Sequence, residues 1–320
     1  MRPPYRLTPK ILSLLGSVSE KIGLLKAFHM DRPKAELRKS SRIRTIHSSL
    51  SIEGNTLGLD QVTALIDGKK VIGPAKDILE VSNAINAYDR MDGFVSTSMA
   101  SFLSAHRMFM EGIIPTAGRF RTGEVGIVKG PKVAHVAPPS SRIPALMKDL
   151  FGYLKKDRDP PIIKSCVFHC ELEFIHPFAD GNGRMGRLWQ TVLLNGHDNL
   201  FSTLPVETVI KKRQEEYYRA LGDSDKAGHS TPFIEFMMSA LDEALEELLR
   251  QRRPVLSCED RIHMFKSLVE ARAFSRKDYM RFFPNLSSAT ASRDLKKGVE
   301  EQWLSMSGDK RTATYRYVMD

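Results

Sequence analysis

HPFADGNGRMGR, residues 176–187, gathers a histidine, an acid, an amide set among glycines and two arginines in one short segment. Residues 162–175 before it and 188–194 after it are apolar runs with helical spacing, so the segment is predicted to turn between two helices. His176 would close the first helix and the glycines would open the second. A glycine-spaced turn entering a helix N-terminus leaves backbone N–H groups unpaired and pointing the same way, and the helix dipole adds positive potential, so such a turn holds anions. Asp180 offers a hard oxygen ligand of the kind Mg2+ takes alongside water and substrate phosphates. Arg184 and Arg187, three residues apart, fall on one face of the following turn, where planar guanidinium forks fit phosphate oxygens. The unperturbed pKa of imidazole near neutrality suits His176 to take a proton from an attacking hydroxyl. Phe178 reads as core, holding the loop against the helices.

Each of these parts alone has an ordinary structural use, since glycines turn chains and His-Pro ends helices. Their joint occurrence is what points to phosphate chemistry. The segment resembles the Fic family motif: a histidine, a phenylalanine, an acid, then Gly-Asn-Gly-Arg and a second arginine three residues on. The resemblance implies an all-helical core and transfer of AMP from Mg-ATP to a protein hydroxyl. It implies His176 as base, Asp180 as metal ligand, and Asn182 with the amides of Gly181, Gly183, Met185 and Gly186 around the phosphates. Arg184 and Arg187 would hold the outer phosphates. The motif is intact after the asparagine, which favours AMP as the transferred group.

Upstream, SSLSIEGN (residues 48–55) sets Ser49 and Glu53 four apart at what reads as a helix end, with Gly54-Asn55 as its cap. This is similar to the family's inhibitory motif, whose glutamate pairs with the second arginine and blocks productive ATP binding. Carried over, Glu53 would bind Arg187 and displace the γ-phosphate. A carboxylate and a phosphate oxygen compete for the same guanidinium fork, and one of them occupies it at a time. Some family members also remove AMP with this glutamate.

Between the two motifs, Gly118-Arg119-Phe120-Arg121 leads into EVGIVKGPKVAHVAPP (residues 124–139). Alternating Val125 and Ile127, a turn at Gly130-Pro131 and a return over residues 133–136 predict a β-hairpin. The resemblance implies a flap that aligns the target segment by main-chain pairing, with Val125, Gly126, Ile127 and Val128 as its edge near nucleotide and target. Tyr217 and Tyr218, on a helical stretch over residues 215–221, match a tyrosine pair near the nucleoside in relatives; adjacent tyrosines face different sides, which leaves one of them for the core. Asp225 stands where that resemblance leads one to expect an asparagine.

With 42% hydrophobic residues over 320 positions, the chain can bury a substantial core, and its length favours two or three domains. No apolar run is long enough to span a bilayer, and MRPPYRLTPK is unlike a signal peptide, so no membrane partner is expected. Cys166, Cys170 and Cys258 are too few for a disulfide framework and suggest a reducing, cytoplasmic setting. Cys166, His169 and Cys170 have a metal-like spacing but lie on an apolar helix and read as core. Of the net charge of +10, residues 1–50 carry +8, a basic face suited to an acidic target or a neighbouring subunit of a homodimer.

Residues 232–249 read as an amphipathic helix closing the core, and RQRRP (residues 250–254) as a linker. Beyond it, helices over 261–271, 276–283 and 287–297, then strands at 303–305 and 314–318 around Gly308-Asp309-Lys310, resemble a winged helix-turn-helix. Ser292 and Arg293 would be its base readers, although a regional charge of +3 is low for a DNA binder. The expected architecture is therefore mainly α: a helical N-terminal region with the inhibitory motif (1–90), a Fic core with a small β-hairpin flap (91–250) and a winged helix (256–320). The leading function is an ATP- and Mg2+-dependent AMP-transferase acting on a hydroxyl of a target protein and on itself, restrained by Glu53. The alternatives are a DNA-binding regulator whose Fic-like core senses a ligand, and an enzyme that removes AMP.

Overall fold

The computed structural model of the chain describes residues 2–27, 35–129, 132–252, 257–269, 272–284, 286–309 and 312–318. They form two compact units, Met1–Arg250 and Gln251–Asp320. Among the described residues no helix is long and apolar enough to cross a membrane.

The first unit is helical: α1 (Pro9–Ala27), α2 (Ala35–Ile52), α3 (Leu59–Ile66), α4 (Ala75–Asp89), α5 (Met99–Met110), then strands β1 (Gly126–Lys129) and β2 (Lys132–Val136). After them come α6 (Ile143–Lys156), α7 (Pro161–Ile175), α8 (Asn182–Asn195), α9 (Val206–Lys212), α10 (Gln214–Ala227) and α11 (Thr231–Arg252). Helix α7 is apolar nearly all round, with Ile163, Cys166, Val167, Phe168 and Leu172 fully buried, and a helix without a polar face must lie at the centre. It packs chiefly on α8. Phe102 of α5 meets Trp189 of α8 edge-on with ring centroids 5.1 Å apart and stacks on Phe178 at 5.4 Å. Burying each such ring contributes about 1.5–3 kcal/mol, which anchors the loop between α7 and α8 to the core through Phe178.

Helix α8 begins at Asn182, within the glycine-spaced segment expected to open it and ahead of the apolar run 188–194, because Gly181 at φ +87° turns the chain and Asn182 closes the loop locally. The last six residues of the motif are therefore helical. At the other end of the unit, α11 continues to Arg252, so Arg250 and the two residues after it belong to the helix and not to the predicted linker. Leu245, Leu248 and Leu249 keep it packed, and Glu246 pairs with Arg250 one turn on. Residues 253–254 of that linker lie outside the described residues. The hairpin forms with Gly126 opposite Val136 and Ile127 opposite His135, and its register shifts at a bulge between Ile127 and Val128. The predicted turn at Gly130-Pro131 lies outside the described residues.

The second unit contains α12 (Cys258–Val269), β3 (Phe274–Ser275), α13 (Arg276–Phe282), α14 (Ser288–Glu300), β4 (Leu304–Ser307) and β5 (Thr314–Tyr317). Its antiparallel sheet runs in the order β3-β5-β4, and Ile262, Phe265, Phe274, Tyr279, Leu295 and Leu304 form its core. The three helices and the β4–β5 hairpin follow in the predicted order, with β3 as a strand the pattern did not show. Serines start both later helices: Ser275 with Asp278 makes a capping box, and Ser287 Oγ accepts from Thr290 N–H. The first helix starts at Cys258, ahead of the predicted 261, since Ser257 accepts the Asp260 N–H as its cap. Lys310 of the expected wing and Ala271 of the expected helix lie outside the described residues. Ser292 Oγ receives a bond from Arg276 Nη1 at 2.8 Å, and Arg293 is exposed.

Candidate active site

The loop between α7 and α8 is shaped by its own residues. His176 follows α7 with φ +48°, and its N–H still donates to Leu172 O at 2.8 Å. Among the described residues only His176 and Gln302 leave the right-handed side of φ without being glycine. A bulky side chain held there costs free energy that surrounding bonds must offset. Asn182 uses both of its amide groups on the loop: Nδ2 donates to Phe178 O at 3.0 Å and Oδ1 accepts from Phe178 N–H at 2.9 Å. Its side chain thus sets the curvature of the loop; the Gly181 N–H donates to Asp180 Oδ1 at 2.6 Å and the Met185 N–H to Gly181 O at 3.0 Å, which leaves the N–H groups of residues 182–184, in the first turn of α8, as the candidate anion donors.

The two arginines part company. Arg184 is buried between Glu80 of α4, 3.2 Å from Nη1, and Asp180, 3.1 Å from Nη2. Arg187 is buried against the end of α2: Nε donates to Ser49 Oγ at 3.0 Å, and Nη2 donates to Ser49 O at 3.0 Å and to Glu53 Oε1 at 2.6 Å. The end of α2 that carries Glu53 closes as expected, with Gly54 at φ +90° and Asn55 N–H donating to Leu50 O at 3.1 Å. Gly183 has to be glycine for this contact, since a Cβ there would stand 2.4 Å from Glu53 Oε1.

The Fic/DOC family profile matches residues 96–194 of the chain. A crystal structure of a Fic family protein from Desulfovibrio desulfuricans G20 is 40% identical, covers 100% of this chain and 99% of that one, and superposes with a TM-score of 0.76. The chain belongs to the Fic family. It is also 26% identical over 245 residues to the protein adenylyltransferase Fic of Drosophila mojavensis, covering 72% of this chain and 46% of that one. Against the protein adenylyltransferase fic-1 of Caenorhabditis elegans it is 28% identical over 219 residues, 64% of this chain and 40% of that one. The chain spans under half the length of these curated relatives. The structure of Fic-1 from C. elegans (residues 134–508) shares its fold, at 21% identity and a TM-score of 0.60 over 75% of this chain and 73% of that one.

Within this Fic site the electrostatics follow from burial. Burial alone would lower the Arg187 pKa, but the Glu53 charge reverses that and holds it raised. Burial, with the Glu53 charge beside it, pushes the Glu173 carboxyl up to about 7; it sits one turn before the loop, 4.0 Å from His176 Nδ1 and 3.9 Å from His169 Nε2. Burial keeps His169 neutral, down to about 3, bonded to Gln190 and to the Tyr217 hydroxyl at 3.0 Å. Tyr217 and His169 therefore belong to the core with Cys166 and Cys170, whereas Tyr218 is half-buried beside Tyr217 with ring centroids 5.2 Å apart.

Two donors fit phosphate: Arg187 Nη1 and Arg184 Nε are buried and, among the described residues, without a hydrogen-bond partner. For a metal, Asp180 offers one carboxylate, half-exposed, whose Oδ1 accepts from Gly181 N–H and from Arg184. Among the described residues no three acidic, histidine or cysteine side chains gather as a ligand set. A single oxygen donor fits Mg2+ that is held mainly by substrate phosphates and water. Val125 precedes β1, and Gly126, Ile127 and Val128 lie on it, so the predicted flap edge is a strand apart from its first residue.

Sequence reading missed Glu80, Glu173, His106 and the role of Arg121. The signals were faint: Glu80 is an acid on the buried face of α4, and Glu173 an acid three residues before His176. His106 stacks on Phe178 with ring centroids 3.5 Å apart, accepts from Gly118 N–H at Nδ1 and so presents an Nε2 proton to Asp180 O at 3.0 Å. Burial lowers its pKa to about 4, consistent with a neutral ring whose tautomer is set by Gly118.

Proposed function

We propose that this Fic protein is an AMP-transferase that moves AMP from ATP to a hydroxyl side chain of a protein, held in check by Glu53. The observation that carries this reading is the contact of Glu53 with Arg187 Nη2, beside a buried Nη1 that has no hydrogen-bond partner among the described residues. A glutamate in half of a guanidinium fork, with the other half unsatisfied, marks a place built for a second anion.

In this reading His176 removes the proton from the target hydroxyl, whose oxygen bonds to the α-phosphorus while the bond to the β-phosphate oxygen breaks and pyrophosphate departs. The nearby Glu173 carboxyl stabilises the imidazolium so formed. Arg187, once released by Glu53, takes the γ-phosphate, and the amides at the start of α8 take oxygens closer to the reacting phosphorus. Asp180 would hold Mg2+, which neutralises charge on the phosphates when bound. The hairpin edge, Val125 to Val128, would pair with the target main chain.

The deciding experiment follows label from ATP carrying it on the α-phosphate, with Mg2+, into the chain itself and into lysate proteins. Glu53→Gly is expected to transfer at least tenfold more than the wild type, and Glu53→Gly with His176→Ala none. A Glu53→Gly protein that binds ATP and transfers nothing sinks the reading. Removal of AMP from modified protein by the wild type, lost in Glu53→Gly, would assign Glu53 a second role as water-orienting acid. The exposed Arg293 on α14 supports DNA as a further partner of the second unit, tested by duplex binding that survives near-physiological salt. Self-association, measured by sedimentation, tests a homodimer.

A further inference from the structure

The guanidinium of Arg121 lies on three main-chain carbonyls that belong to different parts of the site. Nε donates to His176 O at 2.8 Å, Nη1 to Gly123 O at 2.7 Å and Nη2 to Pro138 O at 2.6 Å. Gly123 precedes β1 and Pro138 follows β2, so the two stems of the hairpin and the histidine are fixed to one rigid plane. The Arg121 N–H also donates to Pro177 O at 2.9 Å, the residue after the histidine.

The arginine side chain is 1% exposed, and the carboxylate near it, Glu124, is itself exposed and 4.0 Å away. A buried cation without a close counter-ion is costly, and an apolar side chain would fill the space more cheaply. What an apolar side chain lacks is the planar fork that satisfies three carbonyls at set angles. The carbonyl it takes from His176 lies just past the C-terminus of α7, where a cation also meets the negative end of the helix dipole and where α7 has no basic residue in its own last turn. His176 is the strained residue of the loop, so a charge-assisted bond to its carbonyl offsets the cost of its backbone conformation. Ser140 adds a second tie across the stems, its N–H donating to Glu124 Oε1 at 3.1 Å and its Oγ–H to Thr122 O at 2.8 Å.

We propose that Arg121 is a positioning residue that couples the hairpin to His176, so that a segment docked along the hairpin and the base that deprotonates it share one frame. The catalytic part of this inference rests on the AMP-transfer reading; the mechanical part does not. Arg121→Lys and Arg121→Met, each in a Glu53→Gly background, are compared with the Glu53→Gly parent. Hydrogen exchange of amides in residues 122–137 is expected to rise at least tenfold in both variants, while exchange within α7 and α8 and the Kd for ATP stay within twofold. Label transfer at saturating ATP, to the chain itself and to a fixed lysate, is expected to fall at least tenfold, with lysine restoring little because an ammonium reaches one carbonyl. Hairpin exchange unchanged from the parent overturns the coupling. So does a rise spread evenly over the first unit, which would mark Arg121 as general support. Transfer at the parent rate with faster hairpin exchange overturns the catalytic consequence. A parent that transfers nothing overturns the AMP-transfer reading instead, and the exchange comparison still decides the coupling.

Discussion

Arg261 and Asp294 in the second unit meet through two bonds, Nε to Oδ2 at 2.6 Å and Nη2 to Oδ1 at 2.8 Å, and the Tyr279 hydroxyl covers the carboxylate at 3.3 Å. Arg187 and Glu53 in the first unit meet through one bond, with Nη1 unsatisfied and the Glu53 side chain 32% exposed. Both arginines are largely buried, yet the first pair is closed on all sides and the second is half a pair. A fork matched at both prongs fixes structure, because nothing can enter without breaking two bonds and stripping a buried carboxylate. A fork matched at one prong, by an acid that water can reach, is a site where another anion can replace the acid at little cost. Glu207, buried between Thr45 and Thr191, is a third case: among the described residues no cation lies within salt-bridge reach of its carboxylate.

The largest effect expected from this contrast is at the closed pair. Asp294→Ala takes both carboxylate bonds from a largely buried Arg261 and should cost about 3–5 kcal/mol, enough to unfold much of the second unit. Calorimetry of the full chain would show the transition of residues 257–318 moved or lost, and an unshifted transition would mean that the pair contributes little.

Next in size is the carboxylate without a cation. Burial pushes Glu207 up to about 7. Its unfolded value is near 4.3, so between about pH 4.3 and 7 the native state holds a proton that the unfolded state has lost, and stability falls as pH rises. The penalty is complete above pH 7. Glu207→Gln should therefore stabilise the first unit by about 2 kcal/mol at pH 8 and leave it unchanged near pH 4. Denaturation curves at the two pH values test this, and a gain at pH 4 alone would reverse the assigned sign.

The open pair comes third. Glu53→Ala should cost below about 2 kcal/mol, since Arg187 keeps Ser49 Oγ and O as acceptors. A loss matching that of Asp294→Ala would erase the distinction between the two pairs. Smallest is Ser49→Ala, which removes one hydroxyl acceptor from Arg187 and should cost about 1 kcal/mol, read from urea unfolding midpoints of this variant and of Glu53→Ala.

The pairing of Glu53 with Arg187, 134 residues apart, was implied only by the resemblance to the Fic family, whereas the amino-acid sequence alone determined the helical class, the hairpin and the two-helix setting of residues 176–187. These rest on short-range signals: helical spacing, glycine at positions of positive φ, and residue types set close along the chain. The capping pair Gly54-Asn55 was legible because a helix end is a local event. Only the tertiary structure decided that Arg184 faces Glu80 of α4 while Arg187 faces α2, because two arginines three apart on one helix can meet different neighbours once those helices are packed. It also decided that Asn182 bonds its own loop, that α11 runs on through Arg252, and that Tyr217 belongs to the core beside His169. The Arg121 clamp was beyond the reach of sequence patterns for a physical reason: its partners are carbonyl oxygens, which every residue carries, and their convergence on one side chain depends on how distant segments fold together.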